Sequence, residues 1–456
     1  MKIQKISVDG LFDVFNHEIS LNLSEKITII HGPNGFGKTA ILRMLNGFFN
    51  AQYSIFKKIP FRNFQIEFVN GDSVAIKGNT KDKMQSHLQD IEFVYREPGQ
   101  EDKVFCLKSN QRMTKRKMSN FRFDPDVWEE VIPEIRQIGS KLWRDLRTGE
   151  PLTAQEVLEK YGHLLTDEGN PYTEDDWLIK LKSDVHIRLI ESQRLLNFLP
   201  SRSSRSYSGS PSMSPTVLAY SEEIAQLIKS KLAEYGATSQ SLDRTFPARV
   251  VKQPLSPEVT DEQLRQQLDE LEETRSGLIE IGLLDQDGDT ELLTQLQSID
   301  ESTRNVLSVY IEDVEKKLDV FREIANKIDL LKRIINKKFS YSYKEISFSK
   351  DKGFVFNTLY HPNSPDHGTV SPTDLSSGEQ HELVLLYELL FKVQPNSLVL
   401  IDEPELSLHV GWQSQFLKDL QEITELADLD ILIATHSPDI IQDRWDLTVE
   451  LKRPQQ

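Results

Sequence analysis

Gly32-Pro33-Asn34-Gly35-Phe36-Gly37-Lys38-Thr39 is the stretch on which the fold turns. An apolar, strand-like run, Ile27 to Ile30, precedes it, and a run with helical spacing, Ala40, Ile41, Leu42, Met44 and Leu45, follows. Strand, glycine-rich loop and helix in that order match GxxxxGKT, the phosphate-binding loop. Its glycines let backbone N–H groups turn inward around phosphate, and the helix N-terminus adds its dipole. Lys38 is then placed to reach the β- and γ-phosphates and Thr39 to ligate Mg²⁺. Asn34, Gly35, Phe36, Gly37, Lys38, Thr39 and Ala40 become the candidate residues for binding ATP. A chance glycine-rich turn is the plain alternative, and the flanking strand and helix weigh against it.

Outward from this loop, Leu398 to Ile401 is an apolar strand that ends in Asp402 and Glu403. Beside a phosphate loop, Asp402 reads as a Mg²⁺ ligand and Glu403 as the base that polarises the attacking water. Leu375-Ser376-Ser377-Gly378-Glu379-Gln380 stands just before an apolar helix. Ser376 followed by Glu379 also satisfies the capping-box pattern, so a structural and a functional role are compatible.

That hexapeptide resembles LSGGQ, the signature of ABC-type ATPases, with serine for the first glycine and a glutamate inserted before the glutamine. The resemblance implies that Ser377 and Gly378 contact the γ-phosphate held by another copy, so that ATP lies between two heads. It makes His436, in Thr435-His436-Ser437 after the strand Ile431 to Ala434, the switch histidine that senses the γ-phosphate. Gln193, in Glu191-Ser192-Gln193-Arg194, resembles the glutamine that touches Mg²⁺, and Ser407-Leu408-His409 the loop that crosses the dimer interface. Phe12 and Phe15 are candidates for the adenine contact.

The resemblance covers roughly residues 1–50 and 340–440, with Gln193 between. A phosphate loop and signature so far apart are similar to the RecF and SMC branch and to overcoming-lysogenisation-defect ATPases. Long SMC-type arms are not expected here, nor is a Toprim nuclease, since 20 residues follow His436. A head with a short stalk and no Toprim looks like the PtuA-like ATPase subunit of Septu anti-phage defence systems. Residues 190–196, 241–250 and 375–391 fit that group. The resemblance implies a dimer or higher oligomer, a separate HNH endonuclease partner, and DNA reached through that complex. A RecF-like repair clamp and a nucleotide-stabilised scaffold with little turnover are the competing readings.

The fold expected is α/β, a P-loop ABC-type ATPase head with an inserted helical domain and a short antiparallel coiled-coil stalk. Its parts are residues 1–195, 196–340 and 341–456. Strands are expected over 61–107, with Asn70-Gly71-Asp72 as a hairpin turn, and short helices over 126–183. The serine-rich run 201–215 reads as a mobile loop, and a helix from Thr216 to about Gly236. Two amphipathic helices, 258–282 and 303–336, read as an antiparallel pair, the second with one continuous apolar stripe.

Composition bounds these readings. At 456 residues the chain exceeds one ordinary domain, and 38% hydrophobic with 27% charged residues suits packed cores rather than disorder. No apolar run is long enough to span a bilayer and no apolar leader opens the chain, so neither membrane insertion nor export is expected. One cysteine, Cys106, supplies neither a disulfide nor a cysteine metal cluster, which fits a cytoplasmic setting. The net charge of −17 is a poor match to a whole-surface nucleic-acid binder, and residues 256–320, with 18 acidic and 5 basic side chains, carry most of the excess. Basic clusters at Lys108, Arg112, Lys115, Arg116 and Lys117, and at Arg202 and Arg205, could touch phosphates, although solvated surface is the better explanation of each.

Overall fold

The computed structural model describes residues 1–78, 91–107, 128, 132, 135–139, 142–145, 151–154, 156–157, 161, 174–191, 195–197, 214–252, 260–285, 300–359, 368–406 and 408–453. Gln193, Ser407, residues 201–213 and both basic clusters lie outside the described residues. The chain forms two compact units, Met1–Thr216 with Glu388–Gln456, and Val217–Tyr387.

In the first unit five strands form a parallel sheet, in the order Ile187–Ile190, Leu398–Asp402, Asp430–Thr435, Ile27–His31 and Thr448–Glu450. The three central strands are almost unbroken runs of buried Ile, Leu and Val, as a sheet covered on both faces requires. Register pairs Ile190 with Ile401, Asp402 with Ala434 and Thr435 with His31, so the strands end in line along one edge. Loops that bind ligands gather at that carboxyl edge in open α/β sheets.

Six antiparallel strands make a second sheet, in the order Phe15–Ser20, Ile3–Leu11, Asn63–Phe68, Ser73–Lys77, Ile91–Arg96 and Lys103–Leu107. Alternation buries Ile6, Val8, Phe64, Ile66, Val74, Ile76 and Phe93 on one face. The Asn70-Gly71-Asp72 hairpin forms, with Gly71 at φ +90°. The helix Lys38–Phe49 after the glycine-rich loop shares one core with both sheets. Its Ile41, Leu42, Met44, Leu45 and Phe48 are fully buried, in a cluster with Phe64 and Phe93 of one sheet and Leu400 and Leu432 of the other. Each such side chain contributes about 1.5–3 kcal/mol on burial, which anchors the loop from its helical side.

Residues 126–183, expected as short helices, hold helical residues at Trp128, Ala154, Glu156, Val157 and Tyr161 and a helix at Asp176–Asp184, but also an antiparallel sheet of Pro151–Thr153, Leu142–Asp145 and Ile135–Gly139 that was not expected. Ile135, Trp143 and Leu152 close on Trp128, Ile132, Val157 and Tyr161. These strands are 3, 4 and 5 residues long, too short for apolar spacing to separate strand from helix.

The second unit is built from helices Thr216–Lys252, Asp261–Glu280, Glu301–Asp319, Arg322–Phe339 and Ser377–Tyr387, with a sheet of Lys344–Ser349, Gly353–Thr358 and Thr369–Val370. The first helix runs past Gly236 and through Pro247 to Lys252. Proline removes one backbone donor. The turn before it is braced by side chains, Thr245 donating to the Ser241 and Leu242 carbonyls (3.2 and 3.1 Å) and Arg249 to Leu242 (2.9 Å).

The helices of this unit depart from two further expectations. The stripe over 303–336 is not one helix but breaks at Val320 and Phe321, where the fully buried Phe321 ring meets Tyr235. Nor is 258–282 its antiparallel partner. Asp261 pairs with Arg304 and Glu280 with Lys332, start to start and end to end, so those helices run parallel. The antiparallel partner is Thr216–Lys252, through Val250 with Asn305, Asp243 with Lys317 and Tyr235 with Phe321. Amphipathic spacing marks which face a helix buries, not the direction of its neighbour.

Candidate functional site

The loop 32–37 leaves the strand Ile27–His31 and enters its helix through Gly37, the N-cap, in a left-handed conformation (φ +90°, ψ 15°). A side chain there would be strained by that φ and would collide with Leu11. Gly35 is also left-handed (φ +84°), with open space around it. Lys38 is buried, and its ammonium donates to the carbonyls of Gly32 (2.8 Å) and Pro33 (3.2 Å), folding over the loop. Phe15, an adenine candidate, has its ring against Phe36 and His17 (centroids 5.1 and 5.6 Å apart), whereas Phe12, also left-handed at φ +55°, is exposed.

One strand intervenes between this strand and Leu398–Asp402. The helix nevertheless brings Thr39 to the Asp402 carboxylate, its hydroxyl donating to Oδ1 at 3.0 Å. Burial pushes the Asp402 carboxyl up to about 6. The Thr39 bond and Arg43 oppose the rise, and the negative charges of Glu403 and Glu191 add to it. Glu403 is held left-handed (φ +43°), its N–H donating to the Ala434 carbonyl (2.8 Å). A non-glycine residue in that region stores strain, which is common where a side chain is held for chemistry.

His436 begins the loop after Asp430–Thr435. Its Nδ1 and its backbone N–H both face Glu405 Oε1, at 2.9 Å each. A carboxylate only accepts, so Nδ1 carries the proton, and in the neutral ring Nε2 is left as an acceptor. The ring is 41% exposed while Glu405 is buried. Gln413 ties the same loops together, donating to the carbonyls of Glu405 and Leu408 and accepting from the Ser437 hydroxyl (2.9 Å). Sequence reasoning missed Glu405 and Gln413 as supports of His436. It missed Arg43 too, which faces Glu191 at 3.5 Å and touches the electrostatics of Asp402. No periodic signal marks any of the three.

In the second unit the capping box forms as its spacing predicts. The Ser376 N–H donates to Glu379 Oε2 (2.8 Å) and the Glu379 N–H to the Ser376 hydroxyl (3.4 Å). Glu379 also accepts from Ser342 (2.6 Å) and Lys344 (2.9 Å). Burial would raise its carboxyl, but these bonds hold it below the usual range. One turn on, fully buried Glu382 pairs with fully buried Lys338. The extra glutamate of the hexapeptide is thus a support, and Ser377 is left exposed at the helix start beside half-buried Gly378.

Lys38, Thr39, Asp402, Glu403 and His436 therefore converge on one sheet edge, while Ser377 and Gly378 belong to the other unit. Among the described residues no three His, Cys, Asp or Glu side chains cluster to hold a metal ion. The oxygen pair of Thr39 and Asp402 still suits Mg²⁺, which commonly takes one or two protein oxygens and completes its shell with water and phosphate. No helix among the described residues is long and apolar enough to cross a membrane.

Two family models match the chain. One, described as "AAA ATPase domain", covers residues 1–157, with the phosphate loop. The other, described as "AAA domain, putative AbiEii toxin, Type IV TA system", covers residues 251–442, with the hexapeptide, Asp402, Glu403 and His436. Protein ea59 of Escherichia phage lambda is 39% identical over 69 residues, 15% of this chain and 13% of that protein. The SMC head domain from Thermotoga maritima matches over 97% of this chain and 92% of its own, at 10% identity and a TM-score of 0.31. An SMC head with a coiled coil and joint from Pyrococcus yayanosii matches over 99% and 95%, at 11% and 0.30. The matched ATPase domains lie on the residues that make up the site, and the protein is an ATPase.

Proposed function

We propose that the chain is an ABC-type ATPase head of the RecF and SMC branch, that two copies close around two ATP molecules, and that nucleotide state controls a separate HNH-type DNA endonuclease in an anti-phage defence complex. The observation carrying the ATP chemistry is the 3.0 Å hydrogen bond from Thr39 to Asp402, which joins the phosphate loop to the acidic strand end. Thr39 and Asp402 are the residues that would hold Mg²⁺, with Gln193 as a third, and the ion's contribution when bound is to neutralise phosphate charge. Lys38 swings from the loop carbonyls to the β- and γ-phosphates. Glu403 takes a proton from the attacking water, and His436, its Nδ1–H held by Glu405, donates to the γ-phosphate through Nε2 once the ring carries a second proton. Asn34, Gly35, Phe36, Gly37 and Ala40 complete the nucleotide cradle, and Ser377 and Gly378 act on the ATP of the other copy.

Steady-state hydrolysis of ATP tests this reading. Glu403→Gln should slow turnover by about 10²–10⁴ with ATP affinity kept, and Lys38→Ala should lose binding. Unchanged turnover in Glu403→Gln would remove Glu403 from the role. The defence assignment rests on the resemblance of residues 190–196, 241–250 and 375–391, and the net charge of −17 favours reaching DNA through a partner over binding it directly. Tight, salt-sensitive binding of DNA junctions by the chain alone would move the assignment to a repair clamp.

A further inference from the structure

We infer that His17 is a positioning residue for the phosphate loop: by holding the Phe36 carbonyl it fixes the Phe36–Gly37 peptide plane and so aims the Gly37 N–H at the bound phosphate. The inference rests on the phosphate-loop reading and extends it to a residue on a different strand.

His17 lies on Phe15–Ser20, the edge strand of the six-stranded sheet, and is 4% exposed. Its Nε2 is 3.0 Å from the carbonyl oxygen of Phe36. A carbonyl only accepts, so Nε2 carries the proton in this contact. Burial lowers the basicity of the ring, which favours the neutral imidazole with its proton committed to that bond. Phe15 stacks on the imidazole within 18° of parallel and lies against Phe36 as well, so the ring has little freedom to turn.

The Phe36 carbonyl and the Gly37 N–H belong to one planar trans peptide, in which C=O and N–H point in opposite directions. A donor that pins the carbonyl toward the edge strand therefore pins the N–H away from it. Gly37 depends on such a pin, because a glycine at φ +90° has few steric restraints of its own. A plane free to rotate would have to be ordered by each nucleotide on binding, at the expense of affinity. Lys38 and Thr39 follow directly, so the error would pass on to both.

Two variants separate the bond from the packing. His17→Gln keeps an N–H donor near the Nε2 position but loses the ring, and His17→Phe keeps a stacking ring but has no donor. Affinity for a fluorescent ATP analogue is measured for the wild type, both variants and Lys38→Ala, with far-ultraviolet circular dichroism confirming the fold. Loss of one preorganising hydrogen bond should weaken binding by His17→Phe about 5- to 20-fold while His17→Gln stays within about threefold. The effect should fall on KM for ATP more than on kcat. Equal loss in both variants, loss in His17→Gln alone, or loss in neither would overturn the role. A wild type that binds no analogue would instead count against the phosphate-loop reading and take this inference with it.

Discussion

The buried position of Asp402 costs stability. Its folded value, about 6, lies above the ordinary 3.8. The folded chain therefore holds that proton more tightly than the unfolded chain. The sign follows: the cost is nil below about pH 4, grows as pH rises through 6, and is complete above it, on the order of 1–3 kcal/mol. Asp402→Asn keeps an acceptor for Thr39 without the charge. Nucleotide-free Asp402→Asn should melt higher than the wild type at neutral pH, with the gain fading toward pH 4, as thermal denaturation across that range would record. A gain that ignored pH would argue against burial of charge as the cause. The same variant should hydrolyse ATP poorly, which makes the site a place where function is held against stability.

Elements show what was legible beforehand and why. The phosphate loop, the acidic strand end and the capping box were readable because each needs particular residue types at fixed spacing: glycines at left-handed positions, a carboxylate after an apolar run, serine three residues before glutamate. Gly37→Ala should abolish nucleotide binding, since a φ of +90° costs a side chain about 1–3 kcal/mol and Leu11 occupies the space. Equilibrium binding of an ATP analogue checks it. At the hexapeptide, Glu379→Ala should destabilise the second unit by about 1–3 kcal/mol by leaving Lys344 and the Ser376 N–H without their acceptor and Ser342 with the Phe339 carbonyl alone. Because Glu379 is held below its usual range, that stabilisation is present at neutral pH and is lost as pH falls through its folded value. Urea unfolding at about pH 7 and pH 4 should show the difference between wild type and variant shrinking with acid. Helix direction, the break at Phe321 and the small sheet around Trp143 were not legible, because each is decided by contacts between distant segments rather than by local spacing. Glu405, Gln413, Arg43 and His17 escaped for the same reason, since each acts across strands or between a strand and a helix.

At the scale of the whole molecule, the residues proposed to act on one ATP are divided between two units, with Lys38, Thr39, Asp402, Glu403 and His436 in one and Ser377 and Gly378 in the other. The proposal gives each head half of two sites and makes assembly a consequence of ATP occupancy. It also places the nuclease elsewhere, so native complexes purified through this chain with its operon neighbours should contain a small HNH protein by mass spectrometry. A preparation that never retains one and never alters DNA cleavage would end the defence assignment. The most direct test of the two-head account is the solution mass of Glu403→Gln, by light scattering, with and without Mg²⁺ and ATP. The account predicts a nucleotide-driven rise in multiples of 52.5 kDa that is lost when Lys38→Ala or Ser377→Arg is added. A mass indifferent to ATP, or an ATP-driven rise that survives Ser377→Arg, would contradict it.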